Sequence, residues 1–502
     1  MNTTTDRLNR LLASHADVIE RHVDRYGLPL HVLFLEELET NARAFEQALS
    51  ESYPNAVTAF AVKSNPCRGA VRAAAAFGLG ADVASENELR LALEEGIQPD
   101  RIICNGNAKS STYLAEAIDR GCLIAVDNAD ELEEIERCTA ASGADVLLRF
   151  RGMPLSGLTS DDQTTAADWT KFGFHIQEAS SLFFHLAERS HVRFRGVSAH
   201  IGTQIAEPRG YERLLDHLLT LTAQARDAGL APDTVDIGGG FPVAFLSADE
   251  WKAFRTRLLR RLRGHDAESV TWNDLPLGYR NADASRPRWV GKSYWSALPQ
   301  ADMLSHLLHV RFAGGQDCVE RLLSLGGPRL IVEPGRSLMA TAGVTLTQVA
   351  GTKAVLGHDV ISLDLGINNH GTNLISPDIF PAAVLPPRDG DEPIDAFLAG
   401  RLCFSGDMIS KAKVRLNRRP RRGDRFVLYH TGAYGADHFA SNSCGFLRPG
   451  KIAIRADGTT ETWRSPERFE EIFGSPNDTL LNEDVGTSSS SADTRSGSPP
   501  KA

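Results

Sequence analysis

Residues 56–104 read AVTAFAVKSNPCRGAVRAAAAFGLGADVASENELRLALEEGIQPDRIIC, and this stretch decides the fold. Its apolar run from Ala56 to Lys63 predicts a buried strand, GAVRAAAAFG a helix, GADVAS a second strand, ENELRLALEEG a helix with one apolar face, and RIIC a third strand. Strand and helix alternate, which requires a parallel sheet. The order continues downstream, where LIAVDN, DVLLRF, FRGVSAHI and TVDIGGG repeat the strand with ADELEEIERCTA and YERLLDHLLTLTAQARDAG as intervening helices. About eight such units over roughly 300 residues fit a closed (β/α)8 barrel better than an open doubly wound sheet.

Outward from this core, one helix is expected from about Asp6 to Tyr26, within an N-terminal helical segment 1–29, ahead of a barrel spanning 30–327. The alternation lapses between 246 and 327. This insertion carries a basic helical run, WKAFRTRLLRRLRGH, and Trp251, Trp272, Trp289 and Trp295, four of the six tryptophans in the chain. It reads either as a segment packed on the barrel exterior by its own aromatics or as a lid facing substrate. From Pro328 the texture turns strand-rich: PRLIVEP, GVTLTQVAGTKAVLG, HDVISLDLG, RRGDRFVLYHTGAY and GKIAIRADG predict a mostly β domain over 328–480. Residues 481–502, rich in Ser, Gly and Pro, predict a disordered tail.

With 54 Lys and Arg against 64 Asp and Glu the chain is acidic overall, which argues against a nucleic-acid-coating protein. No run reaches the roughly 20 apolar residues of a membrane helix, and MNTTTDRLNRLL lacks a secretory plan, so a cytoplasmic protein is expected. Cys67, Cys104, Cys122, Cys138, Cys318, Cys403 and Cys444 are scattered singly without metal or redox spacing, and no metal site is indicated.

Lys63 closes an apolar strand, at the end where barrel enzymes place their chemistry; desolvated there, its amine is expected to have a lowered pKa and to attack a carbonyl. Gly238, Gly239 and Gly240 follow TVDI directly, where bare backbone can either cradle an anion or simply turn. VEPGRS supplies Glu333 at a strand end with Gly335 and Arg336 behind it, an acid for a heterocyclic N–H beside groups for phosphate. AHIGTQ adds His200, a ring able to stack, and Thr203, a hydroxyl for phosphate. Together a lysine for an aldehyde, an acid for a pyridine nitrogen, a phosphate cradle and a stacking ring describe a pyridoxal 5′-phosphate pocket.

The motifs AVKSNP, GADVASENEL, NGNAKS, KFGF, AHIGTQI, DIGGGFP, EPGRSLMATAG, CFSGD and HTGAYG, in this order, resemble the fold-type III pyridoxal-phosphate-dependent amino-acid decarboxylases. The likeness is closest to the diaminopimelate decarboxylase branch, with ornithine and arginine decarboxylases more distant, and covers about residues 30–449 apart from the insertion. It implies an alanine-racemase-like TIM barrel followed by a β domain, in a homodimer that shares its active sites. On that resemblance Lys63 forms the internal aldimine and Asp82 and Glu88 support it. His200 stacks on the ring, Glu333 keeps the ring nitrogen protonated, and Gly240, Gly335, Arg336 and Tyr434 hold phosphate. Cys403 comes from the partner subunit to protonate the carbanion, with Asp407 beside it.

The sequence departs from its relatives at the distal end of the substrate. The diaminopimelate enzymes place glutamate after the catalytic cysteine, and the ornithine enzymes aspartate; here stands Phe404. Residues 364–387, where the diaminopimelate branch carries an arginine for the distal carboxylate, contain neither Lys nor Arg, leaving His370, Asn369 and Asn373 as replacements. Three functions are therefore consistent with the sequence: a carboxy-lyase acting on the α-carboxylate of another amino acid or amino-acid-derived intermediate, a true diaminopimelate decarboxylase, or a non-catalytic pyridoxal-phosphate-binding or regulatory relative. Racemase chemistry is disfavoured by Glu333, since a racemase weakens the electron sink with arginine there.

Overall fold

Helices Thr3–Ser14 and Ala16–Tyr26 lead into strand β1 (Leu30–Phe34), which the computed structural model places outside the barrel. The structure describes residues 3–139, 143–155, 164–188, 191–281, 285, 287–370, 379–387, 392–438 and 440–474. The expected single N-terminal helix is two, parted at His15, whose φ of −111° and ψ of 20° are not helical. The tail expected at 481–502 lies outside the described residues.

The barrel is built from β2 (Ala56–Ala61), β3 (Gly80–Val83), β4 (Ile102–Cys104), β5 (Leu123–Val126), β6 (Ala144–Arg151), β7 (Val192–Ser198), β8 (Thr234–Asp236) and β9 (Arg329–Val332). Each pairs in parallel with the next, and β9 closes the ring on β2 with Ile331 opposite Val57. This is the expected α/β barrel. Val57, Ala59, Ile103, Leu123, Ala125, Leu147 and Ile331 fill its interior, while the outward side chains pack under the surrounding helices. The interior is therefore a solid plug, and only the carboxyl ends of the strands are left for polar groups.

The second sheet holds β10 (Gly343–Val355), β11 (His358–Leu363), β12 (Ala382–Leu385), β13 (Ile394–Ala399), β14 (Met408–Leu416), β15 (Arg425–Tyr429), β16 (Gly450–Ile454) and β17 (Thr460–Arg464). Its order is β14-β13-β11-β10-β1-β16-β17, with β15 joining β10 and β12. Two expected boundaries shift. LHVLF, assigned to the barrel, is β1 and lies between β10 and β16, with Val32 opposite both Val344 and Ile452. RLIV, assigned to the β domain, is the eighth barrel strand. Leu8, Leu11 and Ile19 of the N-terminal helices cover the β1 face of this sheet.

The insertion is packed by its own aromatics: the Trp251 ring lies 5.1 Å from Trp289 and 5.6 Å from Tyr294, and Trp289 lies 5.0 Å from Tyr279. It leans on the second sheet, where Thr271 bridges Ala412 and Trp272 meets Phe397 edge-on at 5.3 Å. Its basic run is largely neutralised in place. Arg257 pairs with Asp395 at 3.1 Å, Arg260 with Asp266 at 2.7 Å and Arg261 with Asp274 at 2.6 Å. Helix Ala301–Leu308 returns to the barrel's outer layer against helix Leu35–Ser52. Among the described residues no helix is long and apolar enough to cross a membrane.

Candidate active site

Lys63 sits in the single 3₁₀ turn Val62–Ser64 that follows β2. The turn is held from both domains: Ser64 Oγ donates to the Ala61 carbonyl at 2.8 Å, and the Tyr434 amide donates to the Ser64 carbonyl at 2.8 Å. Gly335 packs flush against it, since a Cβ there would stand 2.9 Å from Ala61 Cβ and 3.0 Å from Ser64 Cβ. Behind the turn, the buried Lys451 ammonium joins Asn65 Oδ1 at 2.8 Å to Asp437 Oδ2 at 2.5 Å, tying the lysine turn to the loop that carries Tyr434.

Four other strand ends gather around Lys63. Its Nζ donates to Asp82 Oδ2 at 2.5 Å, and Asn105 Nδ2 donates both to Asp82 Oδ1 at 2.8 Å and to Glu333 Oε1 at 2.7 Å. Asp236 lies beside Glu333 and accepts the Gly238 amide at 2.8 Å. The expected low lysine pKa is not found. Burial does disfavour the charge, but the carboxylates of Asp82 and Glu333 outweigh it and hold the amine above the usual range. Burial pushes Asp82 up too, and Lys63 and Asn105 reverse this, leaving its carboxyl below the usual range. Glu333 goes the other way: burial, then Asp236 and Asp82, raise it well above the carboxylate range, while burial lifts Asp236 to about 6. A buried acid pair with one ammonium nearby suits a further cation at Glu333.

His200 follows β7, and its Nδ1 accepts the Gly202 amide at 3.0 Å, which leaves the ring proton on Nε2. Burial, with Lys63 and Arg149 nearby, lowers its pKa to about 3, so the ring is neutral and presents a face rather than a charge. The glycine loop fits closely around it. A Cβ on Gly238 would lie 3.0 Å from His200 Cδ2, and one on Gly239 2.2 Å from the Glu333 carbonyl; Gly238 and Gly240 also hold φ of +65° and +92°. The Gly238 amide is already given to Asp236, so of the three glycines it is the one whose N–H is spent. Thr203 is half-buried in the same loop, and Gln204 ties this loop to the glycine segment through Val243. Arg336 lies over the Tyr434 ring at 4.7 Å, and its buried Nε has no hydrogen-bond partner.

The pyridoxal binding domain of the pyridoxal-dependent decarboxylases matches residues 35–264. The diaminopimelate decarboxylase of Actinosynnema pretiosum is 28% identical over 89% of both chains, and that of Pseudomonas aeruginosa 27% identical over 91% of this chain and 94% of its own. The protein y4yA of Sinorhizobium fredii is 28% identical over 92% of this chain and 95% of its own. Residues 35–264 of the chain thus carry the likeness to the pyridoxal binding domain of the pyridoxal-dependent decarboxylases. Its fold is also that of the M. jannaschii diaminopimelate decarboxylase in complex with L-lysine, with a TM-score of 0.72 at 21% identity over 90% of this chain and 92% of that one. A lysine/ornithine decarboxylase from Vibrio vulnificus in complex with cadaverine gives 0.63 at 24% over 88% and 98%.

The site has groups that fit pyridoxal phosphate: an amine with 39% of its side chain accessible, a buried guanidinium Nε without a partner for phosphate, and a glycine loop for close approach. Sequence reasoning missed Asn105, Asp236 and Arg149, whose guanidinium lies 4.3 Å over Phe172 with its charge felt at His200. The one available signal was position, since each is a polar residue at the carboxyl end of an apolar strand. Ser85 caps the helix Glu86–Glu94 by accepting the Glu88 amide, and the Glu88 carboxylate takes the Ala84 amide at 2.7 Å, which steadies the turn after Asp82.

The distal residues are less assembled. Cys403 is exposed, and among the described residues no hydrogen bond joins it to the Lys63 cluster. Phe404 is 54% exposed. His370 is fully buried, edge-on to Phe380 at 4.7 Å and beside Gly435; Asn369 is buried with it, and Asn373 lies outside the described residues. Asp407, expected at the substrate, is instead a buried loop clamp: Oδ1 accepts the Ile367 amide at 2.8 Å and Oδ2 the Leu402 amide at 2.7 Å. Asp407→Ala is therefore expected to cost about 1–3 kcal/mol of stability by stranding these donors, read as a lower urea midpoint, with KM unchanged. An unchanged midpoint with a raised KM would return the carboxylate to the substrate.

Proposed function

We propose that this decarboxylase removes the α-carboxylate of an amino acid, or of an amino-acid-derived intermediate, whose far end is not the charged carbon of diaminopimelate. The observation that carries this reading is the loop after β13. Where an acid was expected for a distal ammonium, Phe404 presents an exposed aromatic face. Two guanidiniums that touch the described part of the 364–387 segment are already engaged: Arg401 is bonded to Asp364 and lies 4.0 Å over the Phe446 ring, and Arg418 is bonded to Asp424 and the Leu385 carbonyl. A distal carboxylate would meet no Lys or Arg of the 364–387 segment and a distal ammonium no acid at position 404, and such a loss weighs heavily in specificity.

Pyridoxal phosphate, when bound, supplies a ring that absorbs the electrons left as carbon dioxide departs. The rest belongs to the chain. Lys63 would hold the cofactor, and Asp82 would orient its amine through the bond at 2.5 Å. The neutral His200 ring would face the cofactor, Glu333 would hold the proton at the ring nitrogen, and Arg336, Tyr434 and the Gly239 and Gly240 segment would hold the phosphate. Cys403, exposed and apart from Lys63 of its own chain, is suited to protonate the product carbon in a second protomer's site.

The test is carbon dioxide release from a panel of amino acids including meso-diaminopimelate, with products identified by mass. Release from members with uncharged far ends is expected. Release confined to diaminopimelate would overturn the substrate reading, and silence across the panel from cofactor-loaded protein would overturn a free amino acid as the substrate.

A further inference from the structure

The carboxamide of Asn105 occupies a position that none of the roles above uses. Both of its bonds leave from Nδ2, one to Asp82 and one to Glu333, so it spends each of its two hydrogens on a different buried carboxyl. Its own placement is firm. The Asn105 amide donates to the Val83 carbonyl at 2.8 Å, and its carbonyl accepts the Tyr113 hydroxyl at 3.4 Å. The next residue is pinned as well, with buried Lys109 Nζ donating to the Gly106 carbonyl at 2.8 Å and to Glu131 at 2.9 Å.

We infer that Asn105 is a positioning residue that holds Glu333 in its ionised form and thereby keeps the proton on the ring nitrogen of the cofactor. This rests on the reading of Glu333 as the partner of that nitrogen. A hydrogen bond donated to a carboxylate favours the charged form. The surroundings press the other way: Glu333 is fully enclosed, and Asp236 and Asp82 both repel its charge. Lys63 offsets part of this, but it is bonded to Asp82, while the charge of Arg149 reaches Asp236 and His200 is neutral. A neutral amide has the further property of joining two carboxyls without adding charge that would compete for the ring nitrogen. Without it, the proton shared by Glu333 and the ring passes to Glu333, and the ring becomes a weaker electron sink.

The experiment uses full-length protein loaded with pyridoxal 5′-phosphate labelled at the ring nitrogen, observed by nitrogen NMR. The wild-type resonance is expected at the protonated-pyridine position. Asn105→Leu, similar in size but without donors, is expected to move it toward the neutral position by about a tenfold change in the ratio of the two forms. Its kcat falls while KM holds. Asn105→Ser, which keeps one donor, falls between; if the leucine variant does not fold, the serine variant decides. Glu333→Gln serves as the control. Should it shift the resonance while both Asn105 variants leave it in place, the inference fails alone; should Glu333→Gln leave it in place, the Glu333 reading fails beneath it.

Discussion

Lys63→Ala, loaded with pyridoxal phosphate, is expected to lack the absorbance band near about 420 nm given by a lysine-bound cofactor, and to release no carbon dioxide above background. The loss is expected to be complete because the other lysine at the carboxyl ends of the early barrel strands is already committed. Lys109, in the loop after β4, is buried and gives its hydrogens to Glu131, Gly106 and Ala125. The substitution also removes the ammonium from among Asp82, Asp236 and Glu333, three buried acids that cannot all stay ionised together. Cofactor affinity should therefore fall as well, measurable by titrating the cofactor-free protein. Persistence of the band would move the attachment to another residue.

Protomers of Lys63→Ala and Cys403→Ala, each inactive or nearly so, are expected to recover activity when mixed. If each site takes its lysine from one chain and its thiol from the other, a mixed dimer has one intact site and one doubly altered. Random pairing of equal amounts then returns about a quarter of wild-type turnover. The expectation comes from the exposed position of Cys403 and from the absence, among the described residues, of a hydrogen bond between it and the Lys63 cluster. Proven mixed dimers without recovery would show self-contained sites. The Cys403→Ala protein alone should keep its cofactor spectrum, which separates loss of the proton donor from loss of the cofactor.

The barrel was legible because its signal is local: alternating apolar runs and amphipathic stretches mark strands and helices wherever they end up. Which sheet a strand joins is not local. LHVLF and RLIV are similar short apolar runs, and nothing within either says that the first lies beside Gly450–Ile454 and the second beside Ala56–Ala61. The site shows the same division. Lys63, His200, Glu333 and Arg336 stood out by residue type and by place after a strand. The sign of the Lys63 shift did not, because it depends on carboxylates that β3 and β9 bring to one point. Asn105 was in view within NGNAKS, yet its value lies in the two acids it touches, which are 23 and 228 residues away.

The placement of β1 in the second sheet sets a timetable for synthesis. This strand leaves the ribosome early, but both strands that flank it, Gly343–Val355 and Gly450–Ile454, are made near the end. At about 5–20 residues per second, roughly 20 to 80 seconds pass before its second neighbour exists. Until the first neighbour, Gly343–Val355, is made, Leu30, Val32 and Phe34, all buried in the finished protein, have no sheet to enter while the barrel between them and their partners is being completed. A nascent chain of this decarboxylase therefore carries an open apolar edge for most of its translation, which makes it a natural client for chaperones that bind early and release late.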